Sequence, residues 1–567
     1  MRKTQQNFLN YLSAVERVVQ KDQATGLNLG IDLNPVKELE ASIRNKELLV
    51  PVVGAFSAGK SSLLNAILGK DVLSVAITPE TAIPTELRHD SCERLQALFT
   101  DGRTEEFRVD ELPQLQARAK ELECVRLYLD NPALAALAPL VLVDMPGFNS
   151  PLDAHNKAIA RYIGEGAHYL FVVSVEEGTL HSSTLGRIDE IAHMGRSFSV
   201  CINKADLRPP SDVEAICSHI AQRLEDEGLD AKVCSVSQTN PASVQTMLSG
   251  IDPEALFVGL FQPSLQQQHR SLAAVLKTAL DGLRRDKSDN DKYLAEMAEA
   301  LRALEQEQNQ KTQALRSADL DAHTEDILNS VRNRLNLATD SMAQAVLRGG
   351  QDELSRIVSD EVRSGLIEGA RRATDSMSSQ MVTDFSNRAA SILRPEVRLS
   401  QDWTDGLLHM LQSELLPALL SSWGSSSGGS GKSSRAGVGG ALGAAAVIGT
   451  LVPHPIFKIV LTILPLVGSL FGRLSEGQKL EKIKEALRDQ VLLDIERRLR
   501  PEIGSFLLTA QEQTLKLVAG AFEEQIKQQK EALAQAAKDI TAGGKEAQIA
   551  KIEDTQRELN ALAKSHL

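Results

Sequence analysis

Residues 54–61 have the residue types and spacing of a loop that binds phosphate groups. Gly54 and Gly59 precede Lys60 and Ser61 in the pattern G-x-x-x-x-G-K-S. Glycines let the backbone curl so that successive N–H groups point at phosphate oxygens, Lys60 can reach the β- and γ-phosphates, and the Ser61 hydroxyl can ligate Mg²⁺. The pattern therefore predicts binding of a nucleoside triphosphate by Gly54, Ala55, Phe56, Ser57, Ala58, Gly59, Lys60, Ser61 and Ser62.

The segments on either side of this loop have the patterns of a strand and a helix. The apolar run Leu48–Val53 predicts a buried strand, and residues 62–68 predict a helix whose N-terminus faces the anion. A strand before and a helix after are the context in which such a loop binds phosphate, so the flanking segments strengthen the prediction.

Two motifs farther along the chain indicate a guanine nucleotide with Mg²⁺. Asp144 and Gly147, in Asp-Met-Pro-Gly, follow an apolar run; the Asp can hold Mg²⁺ through a water molecule, and the Gly can give its N–H to the γ-phosphate. Asn203, Lys204 and Asp206 follow another apolar run. The carboxylate of Asp206 can accept two hydrogen bonds from guanine N1 and N2, which adenine does not offer. We therefore predict GTP and GDP, and not ATP, as ligands.

Two further hydroxyl groups are candidates for the same site. Thr81 lies between the phosphate loop and Asp144, where its hydroxyl would complete the Mg²⁺ coordination when γ-phosphate is present. Ser237 ends an apolar run and would brace the base, although a serine with no role at a strand end is the interpretation that the sequence favours.

The group that orients the attacking water is not evident from the motifs. Phe148 follows Gly147, whereas Ras-type GTPases place a water-orienting Gln shortly downstream of that glycine. Ser57 is a polar candidate inside the phosphate loop, and a hydroxyl that only stabilises the loop is an equal alternative. A backbone carbonyl, a monovalent cation (K⁺ or Na⁺) or a second GTPase domain can supply the rest. We assign catalysis to Ser57, Lys60 and Thr81, and expect slow turnover that self-association accelerates.

The composition excludes several other classes of protein. The chain has 567 residues, which is too long for one hydrophobic core, and its net charge is −13. No run of Lys and Arg carries aromatic residues, which argues against a nucleic-acid partner. Five cysteines without a C-x-x-C pair predict reduced thiols, and the charged N-terminus lacks the pattern of a signal peptide. These features predict a cytoplasmic protein.

Hydrophobic periodicity predicts an α/β head followed by an all-α trunk. Short apolar strands alternate with helices up to about residue 258, which predicts a mostly parallel sheet with helices on both faces. Later apolar residues fall at helical spacing and predict a bundle that the N-terminal helices join. The predicted strands are residues 48–53, 125–129, 140–143, 169–175, 198–202 and 233–236. The predicted units are N-terminal helices 1–47, a GTPase domain 48–258, a trunk 259–420, a Ser/Gly stretch with an apolar hairpin 421–473, and returning trunk helices 474–567.

Residues 437–471 form an apolar segment that the helical pattern does not explain. Prolines split it into two arms of about 15 residues each, shorter than the roughly 20 that a membrane-spanning helix needs. A hairpin that dips into one leaflet fits this length, with flanking basic residues for anionic phospholipid; a buried hairpin or a dimer interface is the alternative. The predicted membrane tip comprises Val438, Leu442, Val447, Leu451, Ile456, Ile459, Leu464, Leu470 and Phe471.

These motifs resemble those of the bacterial dynamin-like proteins, large GTPases of the dynamin superfamily. Residues 56–69 look like the family's phosphate loop, and the segments at Thr81, Asp144 and Asn203 match the same pattern. The layout of head, helical trunk and apolar hairpin is also similar, in particular to LeoA-type bacterial dynamins. The motifs themselves cover only about residues 48–240.

The resemblance implies a GTPase that dimerises through its head, binds lipid at its tip and remodels membranes by fission, fusion or vesicle release, peripherally attached to its membrane. It also implies that Ser57 helps to position the attacking water. A second dynamin-like protein is a candidate partner. Phe56 departs from the pattern, because eukaryotic dynamins have Gln there, and Glu80 stands where many relatives have Thr. The alternative functions are a nucleotide-gated scaffold with little hydrolysis and a soluble regulatory GTPase.

Overall fold

The computed structural model contains one β-sheet in the first half of the chain and long α-helices in the second. The predicted fold class, an α/β head with an all-α trunk, is confirmed for the described residues. The structure describes residues 3–24, 29, 31–55, 58–73, 83–116, 118–146, 162, 165–193, 196–237, 240–315, 320–348, 351–423, 476–538 and 545–567.

All six predicted strands are present; the first has the predicted ends, and the ends of the other five differ by one to three residues. The pattern misses three more strands, between residues 85 and 107, because polar and charged residues interrupt their apolar runs. The strands are β1 (Leu48–Val53), β2 (Thr85–His89), β3 (Arg94–Phe99), β4 (Thr104–Phe107), β5 (Leu122–Leu129), β6 (Leu140–Asp144), β7 (His168–Ser174), β8 (Ser197–Asn203) and β9 (Lys232–Ser235).

The strand order places β1 near the middle of the sheet. In the described residues the order is β4-β3-β5-β2-β6-β1-β7-β8-β9, and β6, β1, β7, β8 and β9 are mutually parallel. Strands β2 and β5 are parallel to each other but antiparallel to β6 and β3, respectively. Because β1, β6 and β8 are parallel, the predicted motifs that follow them meet at one edge of the sheet.

Long helices form the second half of the chain and several shorter ones cover the sheet. The first trunk helix begins at Pro253, where Asp252 caps the N–H of Glu254 and the proline occupies the first turn, so residue 258 lies inside a helix. The helices are α1 (Lys3–Ala24), α2 (Asn34–Asn45), α3 (Lys60–Leu68), α4 (Leu112–Gln116), α5 (Pro132–Leu137), α6 (Ser182–His193), α7 (Pro210–Asp226), α8 (Ala242–Ser249), α9 (Pro253–Arg284), α10 (Lys287–Leu315), α11 (Asp321–Leu337), α12 (Thr339–Leu347), α13 (Gln351–Ile392), α14 (Gln401–Trp423), α15 (Glu476–Ala486), α16 (Leu492–Lys538) and α17 (Lys545–His566).

Three hydrophobic clusters hold these elements together. One face of the sheet packs with α1, α2, α3, α8, α9 and α17. The opposite face packs with α6 and α7 and continues into α11, α13 and the first half of α16. A third cluster joins α10, α13, α14 and the rest of α16. Helix α1 also contacts α9 and α17, so both ends of the chain pack beside the first trunk helix.

The predicted membrane tip, at residues 438–471, lies outside the described residues. In the described part of the chain, no helix is both long enough and apolar enough to cross a bilayer.

Candidate nucleotide-binding site

The phosphate loop connects β1 to α3 at the edge of the sheet where the parallel strands end. A side chain at Gly54 would place its Cβ 2.2 Å from the carbonyl oxygen of Val172 on β7, so the backbone has room only for glycine. Gly59 has φ of 83° before α3, and a Cβ there would lie 2.7 Å from Nδ2 of Asn203. Both glycines of the motif are therefore required by close approach to neighbouring strands.

Lys60 is buried at the base of this loop. Its side chain is about 5% exposed, and Nζ donates hydrogen bonds to the carbonyl oxygens of Gly54 at 3.1 Å and Ala55 at 2.9 Å. Burial lowers the pKa of Lys60 to about 8, and the nearby charge of Asp144 acts in the opposite direction. A phosphate group would offer this ammonium a charged partner in place of two neutral carbonyls.

Ser61 and Asp144 contact each other beside the loop. Ser61 Oγ donates to Asp144 Oδ2 at 2.7 Å. Burial raises the pKa of Asp144, against the effects of the Ser61 bond and the Lys60 charge. Asp144 Oδ1 is buried and has no hydrogen-bond partner among the residues that the structure describes. Oxygen ligands next to an orphaned carboxylate oxygen suit a hard cation, so this pair fits Mg²⁺.

Asn203 ties the predicted guanine motif to the phosphate loop. It ends β8, and its Nδ2 donates to the carbonyl oxygens of Ala58 at 2.9 Å and Gly59 at 3.3 Å. The amide donor of Asn203 thus braces the phosphate loop. Its Oδ1 is buried, and the described part of the chain offers it no partner.

The other guanine-motif residues lie on the turn that follows β8. Lys204 adopts a left-handed conformation, with φ of 61°, and its Nζ forms an ion pair with Glu176 at 2.8 Å. Asp206 is exposed on the next turn. Ser237 is buried after β9, and the neighbouring Val236 accepts a hydrogen bond from the backbone N–H of Ala205. This backbone hydrogen bond joins the turn after β8 to the residues after β9.

The structure thus brings Lys60, Ser61, Asp144 and Asn203 together and places the remaining guanine-motif residues at the same edge. Ser62 lies in the first turn of α3. The predicted residues that lie outside the described part of the chain are Phe56, Ser57, Thr81, Gly147 and Phe148.

Two acidic residues near this site are not predicted by the sequence motifs. Glu176 pairs with Lys204, and no spacing rule links two residues so far apart in sequence. Glu86 is buried on β2, where it accepts hydrogen bonds from Arg88 and Arg126. One sequence feature could have indicated Glu86. It is an acidic residue between Thr85 and Leu87, in a segment whose other residues alternate as in a strand with one buried face.

One part of the chain is similar to a known protein family. Residues 50–206 match the model of the dynamin family. Dynamin-like protein 2 of Campylobacter jejuni is 36% identical over 118 residues, which cover 21% of this chain and 19% of that protein. An uncharacterized protein of Caldicellulosiruptor is 25% identical over 213 residues, 36% of this chain and 53% of the relative. The chain therefore matches about half of the length of these curated relatives, or less.

Two solved structures of bacterial dynamins align with most of the chain. The LeoA bacterial dynamin GTPase from ETEC is 15% identical, with 98% of this chain and 97% of that chain covered and a TM-score of 0.31. An oligomerised bacterial dynamin pair is 13% identical, with 96% and 94% covered and a TM-score of 0.33. Both TM-scores are below 0.5, and the similarity to the dynamin family lies in residues 50–206.

Proposed function

We propose that this chain, a member of the dynamin family through its residues 50–206, hydrolyses GTP and couples hydrolysis to self-association and membrane remodelling. The observation that supports the GTPase part of the proposal is that Lys60 and Asn203 bind the backbone of the phosphate loop while Ser61 contacts Asp144, all at one edge of the sheet. Lys60, Ser61 and Asp144 carry polar groups that a Mg²⁺–GTP complex requires. Asn203 supports the loop that would enclose the phosphates.

Phosphate recognition would fall to Lys60 and the backbone of the loop. The Lys60 ammonium would exchange the carbonyl oxygens of Gly54 and Ala55 for phosphate oxygens, which carry full negative charge. Ser61 and Asp144 would hold Mg²⁺, with Thr81, and the ion would neutralise charge on the phosphates during transfer. Ser57 remains our candidate for positioning water.

Base recognition would fall to the loops after β8 and β9. Asp206 is exposed and has an acceptor pair that matches guanine N1 and N2. Lys204, held by Glu176, and Ser237 would flank the base. Asn203 would keep this loop attached to the phosphate loop, so that base and phosphate are recognised together.

GTP turnover by purified protein tests the catalytic part of the proposal. Lys60→Ala should lower kcat/KM for GTP by about a hundredfold or more, because a charged donor to the phosphates is lost. Lys70→Ala is the matched control: Lys70 is half exposed and pairs with Glu93, so this variant should keep wild-type activity.

The same assay also tests hydrolysis by the wild type, self-association and nucleotide preference. Turnover in the wild type no higher than in Lys60→Ala would contradict the enzyme and favour a nucleotide-gated scaffold. Turnover per molecule that rises with protein concentration supports self-association through the heads. Preference for ATP over GTP would contradict the role of Asp206.

Membrane binding is proposed for the apolar segment 437–471, between α14 and α15. The support is its sequence pattern: two apolar arms flanked by Lys432, Arg435 and Arg473. In this proposal residues 1–47 and 259–420 with 474–567 form the neck and trunk, residues 48–258 the GTPase domain, and residues 421–473 the tip that attaches the protein peripherally to a membrane.

Cosedimentation with vesicles that contain anionic phospholipid tests this assignment. Deletion of residues 437–471 should abolish binding, because the chain loses the apolar surface that would enter the lipid. The deletion variant should retain the GTP turnover of the free protein, which shows that the head is intact. Binding that survives the deletion would overturn the assignment.

A further inference from the structure

Glu86 is a buried carboxylate that lies outside the residues assigned to nucleotide binding. It is about 2% exposed on β2. Its Oε2 accepts hydrogen bonds from Arg88 Nη2 at 2.6 Å and from Arg126 Nε at 3.1 Å. A buried carboxylate is costly unless opposite charges and donors surround it, and these two guanidinium groups supply both.

Tyr162 donates a hydrogen bond to the other oxygen of this carboxylate. The Tyr162 ring is fully buried, and its hydroxyl lies 2.7 Å from Glu86 Oε1. Burial, together with the charges and hydrogen bonds of Cys124 and Glu86, raises the pKa of Tyr162 well above its usual value, so the hydroxyl stays protonated and remains a donor. The carbonyl oxygen of Tyr162 accepts a hydrogen bond from the hydroxyl of Tyr169 on β7 at 3.1 Å. Tyr162 is thus fixed to two strands of the sheet.

Glu86 and Tyr162 each follow, in sequence, a segment that is predicted to contact the γ-phosphate. Glu86 is the second residue of β2, which closely follows the segment predicted to contain Thr81. Tyr162 comes after the segment that begins with the predicted γ-phosphate contact Gly147. One buried hydrogen bond therefore joins β2, which follows the first predicted γ-phosphate-sensing segment, to Tyr162, which follows the second.

Arg88, one of the two donors to Glu86, also binds a second carboxylate. Arg88 makes two hydrogen bonds to Glu47, at 2.5 Å and 2.6 Å, and Glu47 lies between α2 and β1. The adjacent Lys46 donates to the carbonyl oxygen of Glu165 at 3.2 Å. The residues before β1 thus contact both β2 and Glu165, three residues after Tyr162.

We propose that Tyr162 and Glu86 are positioning residues for GTP hydrolysis by this chain. Their hydrogen bond fixes the distance between the residues that follow the two predicted γ-phosphate-sensing segments. With that distance fixed, Thr81 and Gly147 can reach the γ-phosphate together. The inference rests on the proposed GTPase function. It assigns a role to residues that need not touch the nucleotide.

The test is Tyr162→Phe, which keeps the buried ring and removes the hydroxyl. We expect kcat for GTP to fall by about ten- to a hundredfold, the range for a lost hydrogen bond to a charged group. Affinity for GDP should stay within about twofold of wild type, because GDP lacks the γ-phosphate, and the effect should therefore appear in kcat and in the ratio of GTP-analogue to GDP affinity. Tyr128→Phe, on the neighbouring strand β5, is the matched control and should behave as wild type.

Two outcomes would overturn the inference. The first is a Tyr162→Phe protein with wild-type kcat and wild-type selectivity for the GTP analogue over GDP. The second is an equal loss of GDP and GTP-analogue binding in step with a lowered Tm, which indicates a purely structural role. Absence of GTP turnover in the wild type is a separate result, which contradicts the proposed function itself.

Discussion

At the scale of the residue, Lys60 places a buried positive charge where the phosphate groups of a nucleotide would bind. Its ammonium is buried against two carbonyl oxygens, and this burial lowers its pKa to about 8. A bound triphosphate would raise that pKa, because it favours the charged form. Binding above pH 8 must therefore take up a proton at Lys60, whereas binding below that pH need not.

This linkage predicts the pH dependence of nucleotide affinity. The dissociation constant of a non-hydrolysable GTP analogue should be nearly constant below pH 8 and weaken by up to about tenfold per pH unit above it. Titration calorimetry or fluorescence at pH 7 to 9 measures this. Lys60→Arg is the control, since its guanidinium stays protonated throughout and the titration of the nucleotide itself is common to both proteins. Parallel profiles for the two proteins would contradict the assignment.

The sequence predicted the chemistry of these residues better than their contacts. Lys60, Ser61 and Asp144 follow from spacing, because the motif needs those atoms at a phosphate. The hydrogen bonds from Asn203 to Ala58 and Gly59, and the pairing of Lys204 with Glu176, could not be predicted. These contacts depend on the order of β1, β7 and β8 in the sheet, which no local pattern specifies.

At the scale of the element, glycines determine how closely the trunk helices approach. Gly365 and Gly369 lie one turn apart on α13 and face the backbone of α11. A Cβ at Gly365 would lie 2.6 Å from Cα of Val331, and one at Gly369 would lie 2.7 Å from Cα of Ile327. Hydrophobic periodicity predicts helices here. It does not predict the close contact between α13 and α11, because glycine has no side chain and does not contribute to the apolar face of a helix.

We expect Gly365→Ala to destabilise the protein although alanine favours helix. Pushing α11 away should cost about 1–3 kcal/mol, more than the roughly 1 kcal/mol gained in helix propensity. Gly504→Ala on α16 is the control, because a Cβ there meets nothing within 4 Å, and it should be neutral or stabilising. Denaturant unfolding measures both variants; an equal or higher stability for Gly365→Ala would show that α11 can shift at no cost.

At the scale of the whole molecule, the head and trunk share one hydrophobic core. A single cluster includes Phe171 of the sheet, Ile188 of α6, Val362 of α13 and Phe506 of α16. Charged pairs lie along this contact, among them Asp189 with Arg334 at 3.1 Å. The sequence predicted the head and the trunk as separate units. The apolar face of α6 has the same residue pattern whether it packs on the sheet alone or on both the sheet and the trunk, so the pattern does not reveal the shared core.

The shared core predicts that the head and trunk unfold together. GDP at about a hundred times its dissociation constant should stabilise the folded state by ~2.7 kcal/mol. Circular dichroism of the helices, which are mainly in the trunk, should then show one transition that moves to a higher temperature.

Gly186→Leu on α6 should uncouple the two parts, because a Cβ at Gly186 would lie 2.4 Å from Oγ of Ser364 on α13. In that variant the trunk transition should no longer respond to GDP, whereas Gly259→Ala on α9, where a Cβ has open space, should keep the wild-type response. If wild-type helices already melt in two steps and GDP shifts only one, the shared core does not couple the parts. A single transition that GDP shifts in the wild type but not in Gly186→Leu would mean that GDP binding stabilises the trunk through the contact between α6 and α13.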